Sequence, residues 1–369
     1  MKAKSLRLKC FRNYEELDLS LSPNINVFLG ENAQGKTNIA EALYYAAIGR
    51  SHRTNADADL IAWDAPAAKI ELLFERLDVE NTLEFQFQRG RRHSIRKNGE
   101  PIKTKELFGV FNAVLFSPED LFLIKGAPAE RRRFLDGEIS QASPAYGHEL
   151  MQYTRILTQR NSLLKKIRER RAGKEMLSLW DEQLAKSAAH IVEKRFLAVK
   201  KLNMLANLMQ RRISAGKENL SLSYELCGAE EEPPCVTEEL VPWYNKKLEE
   251  SLDLDVLRGS TSVGPQRDDI RLEVNGVNLR SFGSQGQQRT GVLALKLSEL
   301  EFLRSETGEY PVLLLDDVMS ELDGTRREKL LDFIGREHIQ TLLTATDAAY
   351  LPEKFMGNIF HVRAGKIFF

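Results

Sequence analysis

Two short stretches hold residues whose types and spacing suit phosphate chemistry. In Gly30-Glu31-Asn32-Ala33-Gln34-Gly35-Lys36-Thr37, two glycines precede a lysine and a threonine, and Asn38 follows. Glycine backbones can aim consecutive N–H groups at an anion, and a helix starting at Lys36 adds the positive end of its dipole. Lys36 then reaches the terminal phosphates of a nucleotide, and Thr37 offers a hydroxyl to Mg²⁺. The second stretch, Pro311-Val312-Leu313-Leu314-Leu315-Asp316-Asp317, is an apolar run ending in two carboxylates. A buried strand that delivers an acid at its C-terminal end can hold the metal shell beside Thr37. Asp316 is therefore expected to serve the metal, and Asp317 to orient or deprotonate an attacking water while Lys36 neutralises the phosphates. Taken alone, the first stretch is a glycine linker and the second a strand with a polar end. Together they form both halves of an ATP site.

The elements that must position these groups are legible around them. The apolar run at 25–29 reads as a strand and 38–47 as a helix, the context a phosphate loop needs. Upstream, Leu6, Leu8 and Cys10 alternate along a strand that leads into a polar turn, Phe11-Arg12-Asn13-Tyr14, directly before the phosphate-loop strand. Residues 69–77, 81–88 and 91–96, with an Asn98-Gly99 turn, read as antiparallel strands. Pro118 opens a helical stretch running to Asp136. Between Pro144 and Ile213 there is no proline and the sequence is dense in Leu, Lys, Arg, Glu and Gln, with Gly173 at a turn. This predicts an antiparallel helix pair of about 28 and about 40 residues, roughly 40 to 60 Å long. The pair either projects as an arm or packs as a bundle. A strand at 218–226, a charged loop at 230–234, a helix at 238–252, alternation of Ile270, Leu272 and Val274 into an Asn275-Gly276 turn, and a helix at 285–303 complete the pattern, with no internal repeat.

Composition bounds what these elements build. A chain of 369 residues with 42% hydrophobic content can fill a large core. Lys plus Arg equals Asp plus Glu at 53 each, so attraction to a polyanion must come from a local patch. Cys10, Cys227 and Cys235 form no C-x-x-C pair, and no stretch of 18 apolar residues occurs. These features predict a soluble cytoplasmic protein with no membrane partner.

The two halves of the site lie roughly 275 residues apart, as if a central region were inserted into one ATPase domain. Ser284-Gln285-Gly286-Gln287-Gln288, before a helix start, resembles the signature motif of ABC-type ATPases, and Ser320-Glu321-Leu322-Asp323 resembles their D-loop. In this order the motifs resemble the SMC-like branch, and within it the RecF family, over essentially the whole chain. Residues 118–136, with Glu130-Arg131-Arg132-Arg133, and Thr261-Ser262-Val263-Gly264-Pro265-Gln266-Arg267-Asp268-Asp269 resemble further family hallmarks. The sequence departs from the pattern at Gln266, where His is usual, and at Asp317, where Glu is common. It lacks an obvious Q-loop glutamine near Phe116, and Thr346 falls at the His-switch position.

The resemblance implies an α/β ABC-type head assembled from 1–115 and 258–369, with a mostly helical lobe at 116–257. It implies ATP and Mg²⁺ as cofactors, with Arg12 and Asn13 near the phosphates or base, Thr346 at the nucleotide, and Ser284, Gln285 and Gly286 closing over the nucleotide of a second copy. It further implies an ATP-dependent homodimer, associated with the nucleoid, that binds double-stranded DNA and single-strand/double-strand junctions. Such a dimer works with RecR and RecO to load RecA, and slow, DNA-stimulated hydrolysis resets it. Arg89, Arg91, Arg92, Arg96 and Lys97 are the candidate DNA contacts. An ATPase subunit of a membrane transporter and a nucleotide-binding protein without turnover are the competing readings. The long basic helix pair argues against the first.

Overall fold

The computed structural model describes residues 1–229, 233–350 and 357–368. The expected charged loop at 230–234 falls partly outside them. The chain divides into two units, Met1–Asp120 with Lys296–Phe369, and Leu121–Leu295.

In the first unit, strands β1 (Lys2–Phe11) and β2 (Tyr14–Ser20) form a hairpin around Arg12 and Asn13. The strand β2 was not expected: Leu17 and Leu19 alternate with acids over too short a span to stand out, so the polar turn precedes β2 rather than the phosphate-loop strand. That strand, β3 (Ile25–Leu29), runs into helix α1 (Lys36–Ile48). Strands β4 (Ala67–Arg76), β5 (Val79–Gln88), β6 (Ser94–Lys97) and β7 (Glu100–Ile102) extend the hairpin into an antiparallel sheet of order β2-β1-β4-β5-β6-β7. The β6–β7 turn is Asn98-Gly99, both at positive φ (51° and 84°), as a two-residue hairpin connection requires. Strand β8 (Ala113–Phe116) ends the N-terminal portion.

The second unit begins with α2 (Phe122–Lys125), α3 (Pro128–Ala142), α4 (Pro144–Arg168) and α5 (Ser178–Ile213). The stretch from Pro118 is therefore not one helix. Gly126 ends α2, and Pro128, which lacks an N–H and presets a helical φ, restarts the chain as the first residue of α3. Next come β9 (Leu220–Glu225), α6 (Thr237–Glu250), α7 (Leu252–Arg258), β10 (Asp269–Val274), β11 (Val277–Asn278) and α8 (Leu279–Phe282). Helix α9 (Gln285–Thr307) starts in this unit and ends in the first. Because β10 pairs antiparallel with β9 (Leu272 opposite Leu222), residues 258–295 group with the helices rather than with the head. The long helix α5 buries residues from Leu184 to Ile213 against α4, α6 and β9, so the helix pair packs down within its unit.

The hallmark segments meet inside this unit. Arg131 makes a two-pronged ion pair with Asp269 (2.7 and 2.8 Å), and the Arg132 guanidinium donates to the Asp268 carbonyl (2.7 Å). Fully buried Arg195 binds Asp136, the Tyr224 hydroxyl and the Pro265 carbonyl. Gln266 accepts a hydrogen bond from Tyr153 and donates to the Val263 carbonyl, so here it braces the loop.

The chain then completes the first unit with β12 (Val312–Asp316), α10 (Gly324–Arg336), β13 (Thr341–Ala345), β14 (Gly357–Arg363) and β15 (Lys366–Phe368). The second sheet has the order β15-β14-β3-β13-β12-β8, parallel except for β15. Helix α1 touches both sheets, and one apolar cluster runs from Phe85 and Phe87 through Leu43 and Tyr45 to Leu314, Leu342 and Phe360. With β3, β13, β12 and β8 buried on both faces, the ends of β3 and β12 lie side by side across β13.

Candidate functional site

The loop between β3 and α1 needs its glycines. Gly35 takes φ 118°, and a Cβ there would lie 2.7 Å from the Asn13 side chain, while one on Gly30 would meet the Val362 carbonyl oxygen at 2.3 Å. Ala33 is also left-handed, at φ 64°. Glu31, Asn32 and Ala33 are exposed at the rim. Gln34 is tied into the fold: its carbonyl accepts from Asn13 Nδ2 (2.9 Å) and its side chain from the Ala364 N–H (2.6 Å). Asn38 in turn donates to Asn13 Oδ1 (2.7 Å). The buried Lys36 ammonium donates to the carbonyls of Gly30 and Glu31, each at 2.7 Å. Burial pushes the Lys36 pKa down, against the opposing pull of Asp317 and Asp316.

Strand β12 brings the other half into contact. Thr37 Oγ1 donates to Asp316 Oδ1 at 3.0 Å, and Thr344 at the end of β13 donates to the same oxygen at 2.7 Å. The next residue, Asp317, turns away through a left-handed backbone (φ 55°), and its N–H donates to Thr344 Oγ1 (3.0 Å). Strained backbone of this kind concentrates at functional sites. Burial raises the Asp317 pKa, with Lys36 acting against it and Asp316 adding to it. A hydroxyl and a carboxylate in contact are the hard oxygen donors that Mg²⁺ takes beside phosphate oxygens. Among the described residues no group of three or more His, Cys, Asp or Glu could hold a metal, so the donor set fits an ion shared with phosphates and not a closed protein cage.

Several contributors were not read from the sequence. Glu41 is fully buried on α1 and receives both prongs of Arg12 (2.9 and 2.6 Å), Ser51 (2.5 Å) and Arg53 (3.4 Å). Burial alone would raise its pKa, but the Arg12 and Ser51 hydrogen bonds outweigh it and hold the carboxyl below the usual range. Arg12 is thus anchored beneath the loop. A glutamate inside an apolar helix pattern gives no signal until its partners are placed. Thr344 was equally silent, its role depending on β13 lying between β3 and β12.

Thr346 is exposed just past β13. Ser284 belongs to the second unit, where its hydroxyl accepts from the Gln287 N–H (3.2 Å) and its own N–H donates to the Gln287 side chain (3.0 Å). This reciprocal cap fixes the start of α9 at Gln285 and Gly286. Arg91, Arg92 and Arg96 are exposed around the β5–β6 hairpin, and Lys97 is half-buried. Arg89 is exposed beside them at the end of β5. Its guanidinium donates to the carbonyls of Ala62, Trp63 and Ala65 at 3.1 to 3.2 Å, bracing that turn.

A phosphate loop whose threonine meets an acid from the C-terminal end of a parallel strand, in a head built from both chain ends, defines a P-loop protein of the ABC and SMC-head class. The family model for the RecF/RecN/SMC N terminal domain matches residues 2–364. Within that class the chain belongs to the RecF family. The DNA replication and repair protein RecF of Halothermothrix orenii is 44% identical over 363 residues, covering 98% of this chain and 96% of that protein. The one from Exiguobacterium sp. is 42% identical over 369 residues, covering 100% and 99%. A solved structure of the recombination mediator protein RecF with ATP, in the RecFOR pathway, superposes with a TM-score of 0.92 at 37% identity, covering 99% of this chain and 96% of that one.

Proposed function

We propose that this chain is an ATP-binding protein of DNA replication and recombinational repair, a recombination mediator that uses weak ATP hydrolysis as a switch. The observation that carries this reading is the contact between Thr37 and Asp316, which joins both halves of a phosphate and metal site. Its likeness over full length to RecF proteins, one of them solved with ATP, supports the rest. Gly30 to Asn38 hold the phosphates, Thr37 and Asp316 hold Mg²⁺, and Asp317 positions the attacking water. Bound Mg²⁺ supplies charge neutralisation at the phosphates.

Two copies closing on ATP place the Ser284 segment of one over the nucleotide of the other, because N–H groups at a helix start favour an anion. The closed homodimer binds double-stranded DNA near single-strand gaps through Arg91, Arg92, Arg96 and Lys97. With RecO and RecR it promotes loading of RecA, and hydrolysis releases it. No helix among the described residues is long and apolar enough to cross a membrane. Phosphate release measured with and without duplex DNA tests the reading. Turnover that is slow and rises with DNA is expected, and absence of any nucleotide binding overturns it.

A further inference from the structure

Within the first unit, Tyr45 is fully buried on α1, edge-on to Phe85 and Phe87 of β5 with ring centroids 5.4 and 5.1 Å away. Phenylalanine would serve that packing, but a buried tyrosine also needs a partner for its hydroxyl. It donates to Asp57 Oδ1 (2.9 Å), while His93 Nδ1 donates to Asp57 Oδ2 (2.6 Å) and stands 3.2 Å from the tyrosine oxygen. The His93 hydrogen bond, with that of Tyr45, holds the Asp57 carboxyl below its usual range against the effect of burial. Three elements meet in this knot: the phosphate-loop helix through Tyr45, the helical turn Asp57–Leu60 through Asp57, and the loop between β5 and β6 through His93.

The knot closes one side of a short loop. Pairing between β5 and β6 stops at Gln86 and Ser94. Beyond it, the Arg89 backbone N–H donates to the Pro66 carbonyl (3.3 Å), and its guanidinium holds the turn at 62–65. With Arg89 pinned on one side and His93 on the other, the span between them is Gly90, Arg91 and Arg92. Gly90 turns the chain at φ 73°, and Arg91 and Arg92 are exposed, with no ion pair among the described residues. These bonds hold the loop at 89 and 93 and leave the two guanidinia free, so they fix where the cations stand and not which way they point. Cations on an unanchored loop lose conformational freedom when they meet a rigid duplex, and anchoring the loop removes part of that loss in advance.

We infer that Asp57 and His93 are positioning residues for duplex DNA: they hold the Arg91–Arg92 span against the phosphate-loop helix without touching nucleic acid themselves. The inference rests on the DNA reading given above for Arg91 and Arg92. Charge alone gives the opposite sign at Asp57, because removing a carboxylate beside a cationic loop strengthens attraction to a polyanion, whereas loss of the knot weakens it.

Duplex affinity across a salt series, with ATP present, is measured for the full chain, for Asp57→Ala, His93→Ala and His93→Asn, for the first two combined, and for Arg91→Glu with Arg92→Glu. Asp57→Ala and His93→Ala should each weaken binding by about 5-fold or more at every salt concentration, the loss expected from ordering two long side chains anew. The salt slope should stay, because the phosphate contacts are kept. The combined variant should lose no more than either single one. His93→Asn, which keeps an N–H near the Nδ1 position but carries no charge, should restore most of the loss. ATP affinity should not move in any of the Asp57 and His93 variants. An Asp57→Ala chain that binds duplex as tightly as the unaltered one or more tightly, losses that add in the combined variant, His93→Asn as weak as His93→Ala, or a parallel loss of ATP affinity each overturns the inference. If reversing Arg91 and Arg92 changes neither affinity nor slope, the DNA reading of this loop fails and the inference with it; if reversal is damaging and Asp57→Ala is not, the knot alone is wrong.

Discussion

The Thr37 hydroxyl lies 3.0 Å from Asp316 Oδ1, although 279 residues separate them in sequence. Strand β13 makes this possible by pairing with β3 on one side and β12 on the other, so that both strands end at one edge. Asp316 is also held by Thr344, which fixes the carboxylate before any ligand arrives.

Asp316→Asn should therefore weaken Mg²⁺-dependent ATP binding by about tenfold or more, since a charge-assisted contact is lost. Lys36→Ala should remove both tight binding and turnover, and Lys36→Arg should harm hydrolysis more than binding, because the charge persists but its placement changes. Calorimetric titration of ATP with and without Mg²⁺ checks both; an Asp316→Asn chain with full Mg²⁺ dependence contradicts the metal assignment.

Asp317→Asn is a different lesion. Its carboxylate makes no part of the Thr37–Asp316 contact, so ATP affinity should stay within about threefold while turnover falls by about 100-fold or more, the range for a lost general base. Single-turnover phosphate release next to a binding curve separates the roles, and equal losses in both assays would show that the two acids do one job.

The exposed Arg91 and Arg92 carry the DNA prediction. Reversing both charges should lower duplex affinity and flatten its salt dependence by about one logarithmic unit per phosphate contact removed. Affinity measured across a salt series tests this. A uniform slope in the unaltered and altered chains would move the DNA surface elsewhere.

Asp268 gives a pH prediction for the second unit. Burial raises its carboxyl pKa to about 6, even though Tyr224 and the Cys227 N–H donate to it (2.6 and 2.8 Å). A raised carboxyl pKa means that the folded chain binds the extra proton. Its contribution therefore lowers stability as pH climbs from near 4 to above 6, by about 1.4 kcal/mol per unit. Thermal unfolding of Asp268→Asn should lose this part of the pH dependence, and an unchanged profile would refute it.

What the sequence made legible follows from locality. The phosphate loop, the strand before Asp316 and the Asn-Gly turn at 98–99 each declare themselves within a few residues, through glycine conformations and apolar runs. Strand β2 escaped because Leu17 and Leu19 are its only clear alternation. The single helix expected from Pro118 broke at Gly126 and Pro128. The hydrogen bonds of Arg89 to carbonyls of a turn about 25 residues away are equally beyond any spacing rule. Glu41, Thr344 and His93 acquire meaning only from neighbours brought by topology.

We propose that nucleotide occupancy controls assembly through the Ser284 segment. Sedimentation of the chain with ATP, with ADP and without nucleotide, repeated for Ser284→Arg, tests it most directly. A dimer with ATP alone and a monomer in every condition for Ser284→Arg are expected; a dimer formed equally in all conditions, or one indifferent to that substitution, would rule this control out.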